Sequence, residues 1–175
     1  MDVGRHALDK VSEEKYSLIL YLTASTAKAR VVLEEGTGTR ILATVTDAHF
    51  GGKNFTDKMV EHFKEVWMTD HGTHMNRTAL RRLRRACERA KCSLSSRPKV
   101  TIQLDVLVAD EDFEYTFTRD QFTAINRDNF QRCLTLVEKV LTDANVSKEI
   151  IQEIMFIGRP THMPELRDML KRFFS

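Results

Sequence analysis

The sequence predicts an α/β fold: a mixed sheet with flanking helices, plus an inserted α+β subdomain. Three observations predict it. Short apolar, strand-like runs open the chain. Two stretches of helical period and an alternating strand pair fill its middle. A long helix, a strand and a last helix close it. That order makes a base from residues 1–50 and 127–175 and an insertion from residues 51–126.

Each element has its own local cause. Residues 16–22 are a short apolar run suited to a buried strand. Residues 29–34 and 39–45 flank Gly36-Thr37-Gly38 and predict a hairpin. Residues 53–69 carry Phe55, Met59, Phe63 and Trp67 along one helical side, with Gly72 near the stop. A basic helix follows and ends before Pro98. Its buried stripe is expected at Leu80, Leu83, Cys87, Ala90 and Leu94.

Val100, Ile102, Leu104, Val106 and Val108 alternate with mostly polar neighbours, and Phe113, Tyr115 and Phe117 do the same. They predict two half-buried strands joined by a turn at residues 109–112. Thr118 and Gln121 have capping-box spacing, in which hydroxyl and amide satisfy each other's orphan backbone donors. The helix so begun is expected to break near residues 126–129 and then run to Asp143. Residues 153–157 predict a strand. Pro164 opens a final helix with Leu166, Met169, Leu170 and Phe173 inside.

The length of 175 residues suits one domain, or one lobe with two subdomains. A hydrophobic fraction of 42% supports a core and argues against disorder. The net charge of +2 is uninformative, but its distribution is uneven: residues 77–97 are basic and residues 105–114 acidic. No aromatic residue interleaves with the arginines, so a solvated helix face is favoured over a nucleic-acid surface. Cys87, Cys92 and Cys133 make no even disulfide framework and have no zinc spacing. His71 and His74 suit a loop at a helix end, so no metal site is expected. There is no secretory h-region and no run long enough to span a membrane. A reducing compartment, the cytoplasm, is the expected location.

The most informative stretch is residues 81–96, RRLRRACERAKCSLSS. Glu88, Lys91 and Ser95 fall at i, i+3 and i+7, on one helical stripe beside the apolar one. Such a stripe can present a carboxylate, an ammonium and a hydroxyl to one ligand. It can equally be a solvated face with an i,i+3 ion pair, contributing a few tenths of a kcal/mol.

The word ACERAK followed by Leu-Ser resembles the nucleotide-binding domain of the 70-kDa heat-shock chaperone family. Residues 48–63 (AHFGGKNFTDKMVEHF), 110–122 (DEDFEYTFTRDQF) and 136–158 (LVEKVLTDANVSKEIIQEIMFIG) continue the resemblance in order. From about residue 8 onward, the chain is similar to the second lobe of that actin-like ATPase fold. The resemblance implies that Glu88, Lys91 and Ser95 occupy adenosine-pocket positions. Cys92 stands where the family has an Arg that stacks on adenine. Losing that cation removes about 0.5–2 kcal/mol of stacking in a partly desolvated site.

The resemblance also implies that the ATPase chemistry is gone. The family's phosphate loop, Asp-Leu-Gly-Gly-Gly-Thr-Phe-Asp, is Tyr21-Leu22-Thr23-Ala24-Ser25-Thr26-Ala27-Lys28 here. Three side chains stand where glycines let amides approach phosphate. Both carboxylates that Mg²⁺ favours are replaced, by Tyr21 and Lys28. The last loop, Gly-Gly-Ser-Thr-Arg-x-Pro in the family, is Gly158-Arg159-Pro160-Thr161-His162-Met163-Pro164. Gly158 persists as an adenosine-side position, while Arg159 adds bulk and Pro160 removes a donor. The first lobe is expected to be absent, and the start Met with its degenerate loops suggests a diverged gene.

The implied function is a catalytically inactive, single-lobe relative acting as an interaction or structural subunit, with no catalytic residue. Residual ATP or ADP binding would be weak. Alternatives are an adenine-nucleotide sensor or half of a split ATPase. A protein partner is expected, either a larger assembly or a co-chaperone such as a nucleotide-exchange factor; membrane and nucleic acid are not. Arg81 and Asp105 match partner-contact positions of the family's inserted subdomain, while Thr78 and Gln103 replace an Arg and a Glu there. A face bearing Tyr21, Thr23, Lys28, Arg159 and Met163 is expected to be open for contact.

Overall fold

Strands β1 (Lys15–Leu22), β2 (Ala27–Glu35) and β3 (Gly38–Asp47) run as an antiparallel meander. This computed structural model describes residues 14–175, so residues 8–13 of the matched stretch lie outside the described part. Helix α1 (Gly52–His71) and α2 (Arg77–Leu94) follow, then β4 (Lys99–Val108) and β5 (Glu111–Thr118) as a separate antiparallel pair. Helix α3 (Arg119–Ile125) leads to α4 (Arg127–Ala144), β6 (Ile151–Ile157) and α5 (Pro164–Phe174). Strand β6 returns beside β1 in parallel, giving the mixed order β3-β2-β1-β6. This is the expected α/β lobe of actin-like ATPase type, with helices flanking a mixed sheet and extra α+β elements.

One sheet face buries Leu18, Leu20 and Leu22 of β1 with Ala27, Ala29 and Val31 of β2, and α4 packs against β2 and β3. The alternation of side chains along each strand selects the core face. Phe55 of α1 meets Phe130 of α4 edge-on at 5.1 Å and Phe50 at 6.0 Å, joining the α1–α2 unit to the base sheet. Phe63 is enclosed by Phe113, Tyr115 and Phe117 of β5. Each such ring contributes roughly 1.5–3 kcal/mol on burial.

The helix ends follow local chemistry. Gly72 closes α1 at φ 65°, a conformation that costs a side-chain residue and suits glycine. Thr118 Oγ1 accepts from Gln121 N and Gln121 Oε1 accepts from Thr118 N, which completes the predicted capping box. The predicted break falls at Asn126, whose side chain donates to Phe122 O and accepts from Asn129.

Three expectations change. Leu80 is only half-buried; Ala79 and Ala86 join Leu83, Cys87, Ala90 and Leu94 inside. Strand β4 does not alternate to its end, because a bulge lies between Leu104 and Val108 and Val106 adopts φ 46°. Residues 105–107 stand against Asp112 alone, so β4 carries two extra residues there and its side-chain alternation is interrupted. Val106, expected inside, is 56% exposed, and Leu107 is buried instead. Met163, expected on an open face, is buried at the start of α5.

Candidate functional site

The loop between β1 and β2 closes on itself. Thr23 N donates to Thr26 O at 2.9 Å, and Thr26 N donates to Thr23 Oγ1 at 3.1 Å. Its outward carbonyls then cap α1: Gly52 N donates to Thr23 O and Lys53 N to Ala24 O, both at 2.8 Å. Asn54 Oδ1 accepts from Gly51 N, so the first amides of α1 all meet protein acceptors. Gly51 is required by closeness: a Cβ there would lie 2.6 Å from Ser25 N.

Behind the loop, Tyr21 and Lys28 are direct cross-strand partners. The Lys28 ammonium lies 5.9 Å from the Tyr21 ring centroid and the Arg30 guanidinium 5.6 Å from it. The two positions therefore hold a cation–π ladder. Among the described residues no group of three or more His, Cys, Asp or Glu could hold a metal ion.

Helix α2 brings Glu88 and Lys91 to the N-terminus of α1. Lys91 is buried rather than solvated, and its ammonium makes three bonds: to Gly52 O at 2.8 Å, Thr56 Oγ1 at 2.9 Å and Glu88 Oε2 at 2.8 Å. That uses all three of its donors. Thr56 Oγ1 donates in turn to Glu88 Oε2 at 2.5 Å. Burial acts to raise the Glu88 carboxyl, but hydrogen bonds from Lys91 and Thr56 and the charges of Lys91 and Arg159 outweigh it, leaving its pKa below the ordinary value.

The last loop completes the wall. Gly158 sits at φ 104°, and a Cβ there would lie only 2.1 Å from Leu22 O, so no other residue fits. Thr161 Oγ1 and N both donate to Gly158 O, folding residues Arg159–His162 into a 3-10 turn. This turn sets the Pro160 ring against Gly52, where a Cβ would meet it at 2.7 Å. Arg167 of α5 donates to Thr161 O and lies over the Phe156 ring.

Between these walls runs an open cleft of about 1010 Å³. Glu88, Lys91 and Ser95 line one side, and Arg159, Pro160 and Arg167 line the other. Gly158 does not line it but supports the turn from beneath. Cys92 opens onto the cleft with its thiol exposed. Arg81 and Asp105 stand elsewhere, exposed on α2 and β4. Sequence reasoning missed Thr56 and Arg82. Thr56 bonds Glu88 32 positions away, and Arg82 donates to Asp105 O and Val106 O. Neither residue has a local pattern that announces a distant acceptor.

The family model described as Hsp70 protein matches residues 6–175. A ribosome-associated molecular chaperone of Zygosaccharomyces rouxii is 38% identical over 168 residues, covering 95% of this chain and 27% of that protein. The heat shock cognate 70 kDa protein 3 of Dictyostelium discoideum is 38% identical over 137 residues, 77% of this chain and 22% of its own length. The heat shock 70 kDa protein of Neurospora crassa is 36% identical over 174 residues, covering 97% and 27%. The chain thus spans about a quarter of the length of these relatives.

Proposed function

The chain belongs to the Hsp70 family, and from that premise we propose that it is a catalytically inactive, single-lobe relative of the 70-kDa heat-shock chaperones, a degenerate second lobe that works as a protein-interaction or structural subunit. One observation carries the reading. The groups that would meet a nucleotide are engaged by the protein itself. The Lys91 ammonium has three internal acceptors, and the 23–26 loop is bonded to itself and to α1. Tyr21 and Lys28 supply no oxygen ligand of the kind Mg²⁺ favours. Phosphoryl transfer depends on such positioning and charge stabilisation, so little turnover can remain.

The partner is a larger assembly or a chaperone co-factor such as a nucleotide-exchange factor, contacted through a surface that includes Arg81 and Asp105. Both side chains are exposed. The cytoplasm is the proposed location. Three free cysteines suit a reducing compartment, and no helix among the described residues is long and apolar enough to cross a membrane.

A second reading, a weak adenine-nucleotide sensor, is favoured by the open cleft that keeps Glu88, Lys91 and Ser95 on one wall. Titration calorimetry with Mg-ATP and Mg-ADP separates the two. The first reading expects affinity weaker than about millimolar, equivalent to less than about 4 kcal/mol, and no phosphate release above buffer. Micromolar binding lost on Glu88→Gln would replace it with the sensor.

A further inference from the structure

Helix α2 carries Arg77, Arg81, Arg85 and Arg89 at a spacing of four, all exposed. That spacing sets neighbours in the row on one outward stripe, which winds round to the cleft at Arg89. Among the described residues none of the four forms an ion pair; the arginine of α2 that does is Arg84, with Asp57. Beside this stripe, the β4–β5 hairpin exposes Asp105, Asp110, Glu111 and Glu114, again with no ion pair among the described residues. Arg82 ties the two together, bonding Asp105 O at 2.6 Å and Val106 O at 2.8 Å. Val106 lies at the junction, 56% exposed. The junction that Arg82 makes thus carries exposed arginines on its helix side, exposed carboxylates on its hairpin side and the exposed Val106.

We propose that this surface docks a second copy of the chain about a two-fold axis. The α2 arginines of each copy meet the hairpin carboxylates of the other, and the two Val106 side chains meet near the axis. The proposal rests on the reading of the chain as an interaction subunit and names its partner. Charge complementarity selects the occupant. An acidic partner or a polyanion would satisfy the arginines but oppose the carboxylates beside them. A two-fold places opposite signs together on both sides at once, because an isologous interface uses the same patch twice.

The test is sedimentation of the full chain with two charge-reversed variants, R81E/R85E and E111K/E114K, all at exposed positions. The wild type is expected to dimerise at about 0.1 M salt and to dissociate toward 1 M, where the screening length falls from about 10 Å to about 3 Å. Each variant alone is expected to bind itself at least about tenfold more weakly. Mixing the two is expected to restore the dimer, since the introduced glutamates then face the introduced lysines and the native Glu111 and Glu114 face the native Arg81 and Arg85. A wild type that stays monomeric, a dimer indifferent to both reversals, or a mixture that fails to reassociate overturns the proposal. Crosslinking in native extract separates this from the underlying reading. Crosslinks to other proteins that R81E/R85E abolishes would keep the interaction surface and discard the second copy. Absence of any crosslink from a monomeric wild type would discard both.

Discussion

The Lys91 ammonium of α2 donates to the Gly52 carbonyl of α1 at 2.8 Å, across 39 positions of sequence. This bond sits under the Pro160 ring, whose packing leaves room at residue 52 for glycine alone. The junction of the two helices with the last loop is thus held by a buried cation and a proline. The cleft keeps its walls, but its ammonium faces inward.

Lys91→Met should therefore act on stability first. It removes one donor from each of Gly52 O and Thr56 Oγ1 and takes the cation from Glu88, a loss of about 1–3 kcal/mol for buried polar groups. Urea unfolding is expected to show that loss, and Lys91→Arg is expected not to restore it, since a planar fork cannot fit the same three acceptors. An unchanged midpoint would mean the ammonium is solvated.

The same network sets an acid dependence. Glu88 has a folded pKa below its ordinary value of 4.5, because the bonds from Lys91 and Thr56 and nearby positive charge prevail over burial. A carboxylate lowered in this way stabilises the fold fully above the ordinary value, and the contribution is lost as pH falls through the folded one. The stability gap between wild type and Glu88→Gln should be present at neutral pH and close in acid. A gap that persists or widens in acid would contradict the geometry.

The bulge in β4 makes a prediction of opposite signs at adjacent residues. Val106 is exposed with φ 46°, a conformation costing an L-residue about 1–2 kcal/mol. Val106→Gly relieves that cost against an added chain entropy of about 0.5–1 kcal/mol, so the fold should gain slightly or hold. Leu107→Ala should lose about 2–5 kcal/mol, because Leu107 is buried. The reverse pattern in thermal melts would restore the unbroken alternation.

Thiol labelling reads the core directly. Cys87 and Cys133 are buried, and burial pushes both thiols up to about 12. Cys92 is exposed on the cleft. Only one of the three cysteines should react quickly in the native protein, and all three after unfolding. Rapid native labelling of Cys87 would put the wrong face of α2 inside.

Much of this protein was legible from the sequence because the signals are local. The spacing of Phe55, Met59, Phe63 and Trp67, the Thr118–Gln121 box and the stop at Gly72 each depend on residues within a few turns of one another. The stripe of Glu88, Lys91 and Ser95 was legible for the same reason, and it does line a cleft. Tertiary structure decided what each polar group faces. Lys91 turns inward because Gly52 O and Thr56 Oγ1 arrive from another helix. Leu107 replaces Val106 inside because Arg82 holds the two preceding carbonyls and Asp112 accepts from Val106 N, fixing a bulge that no alternation pattern encodes. Periodicity is a property of neighbouring residues, whereas the partner of a buried donor is set by elements that meet only when the chain has folded.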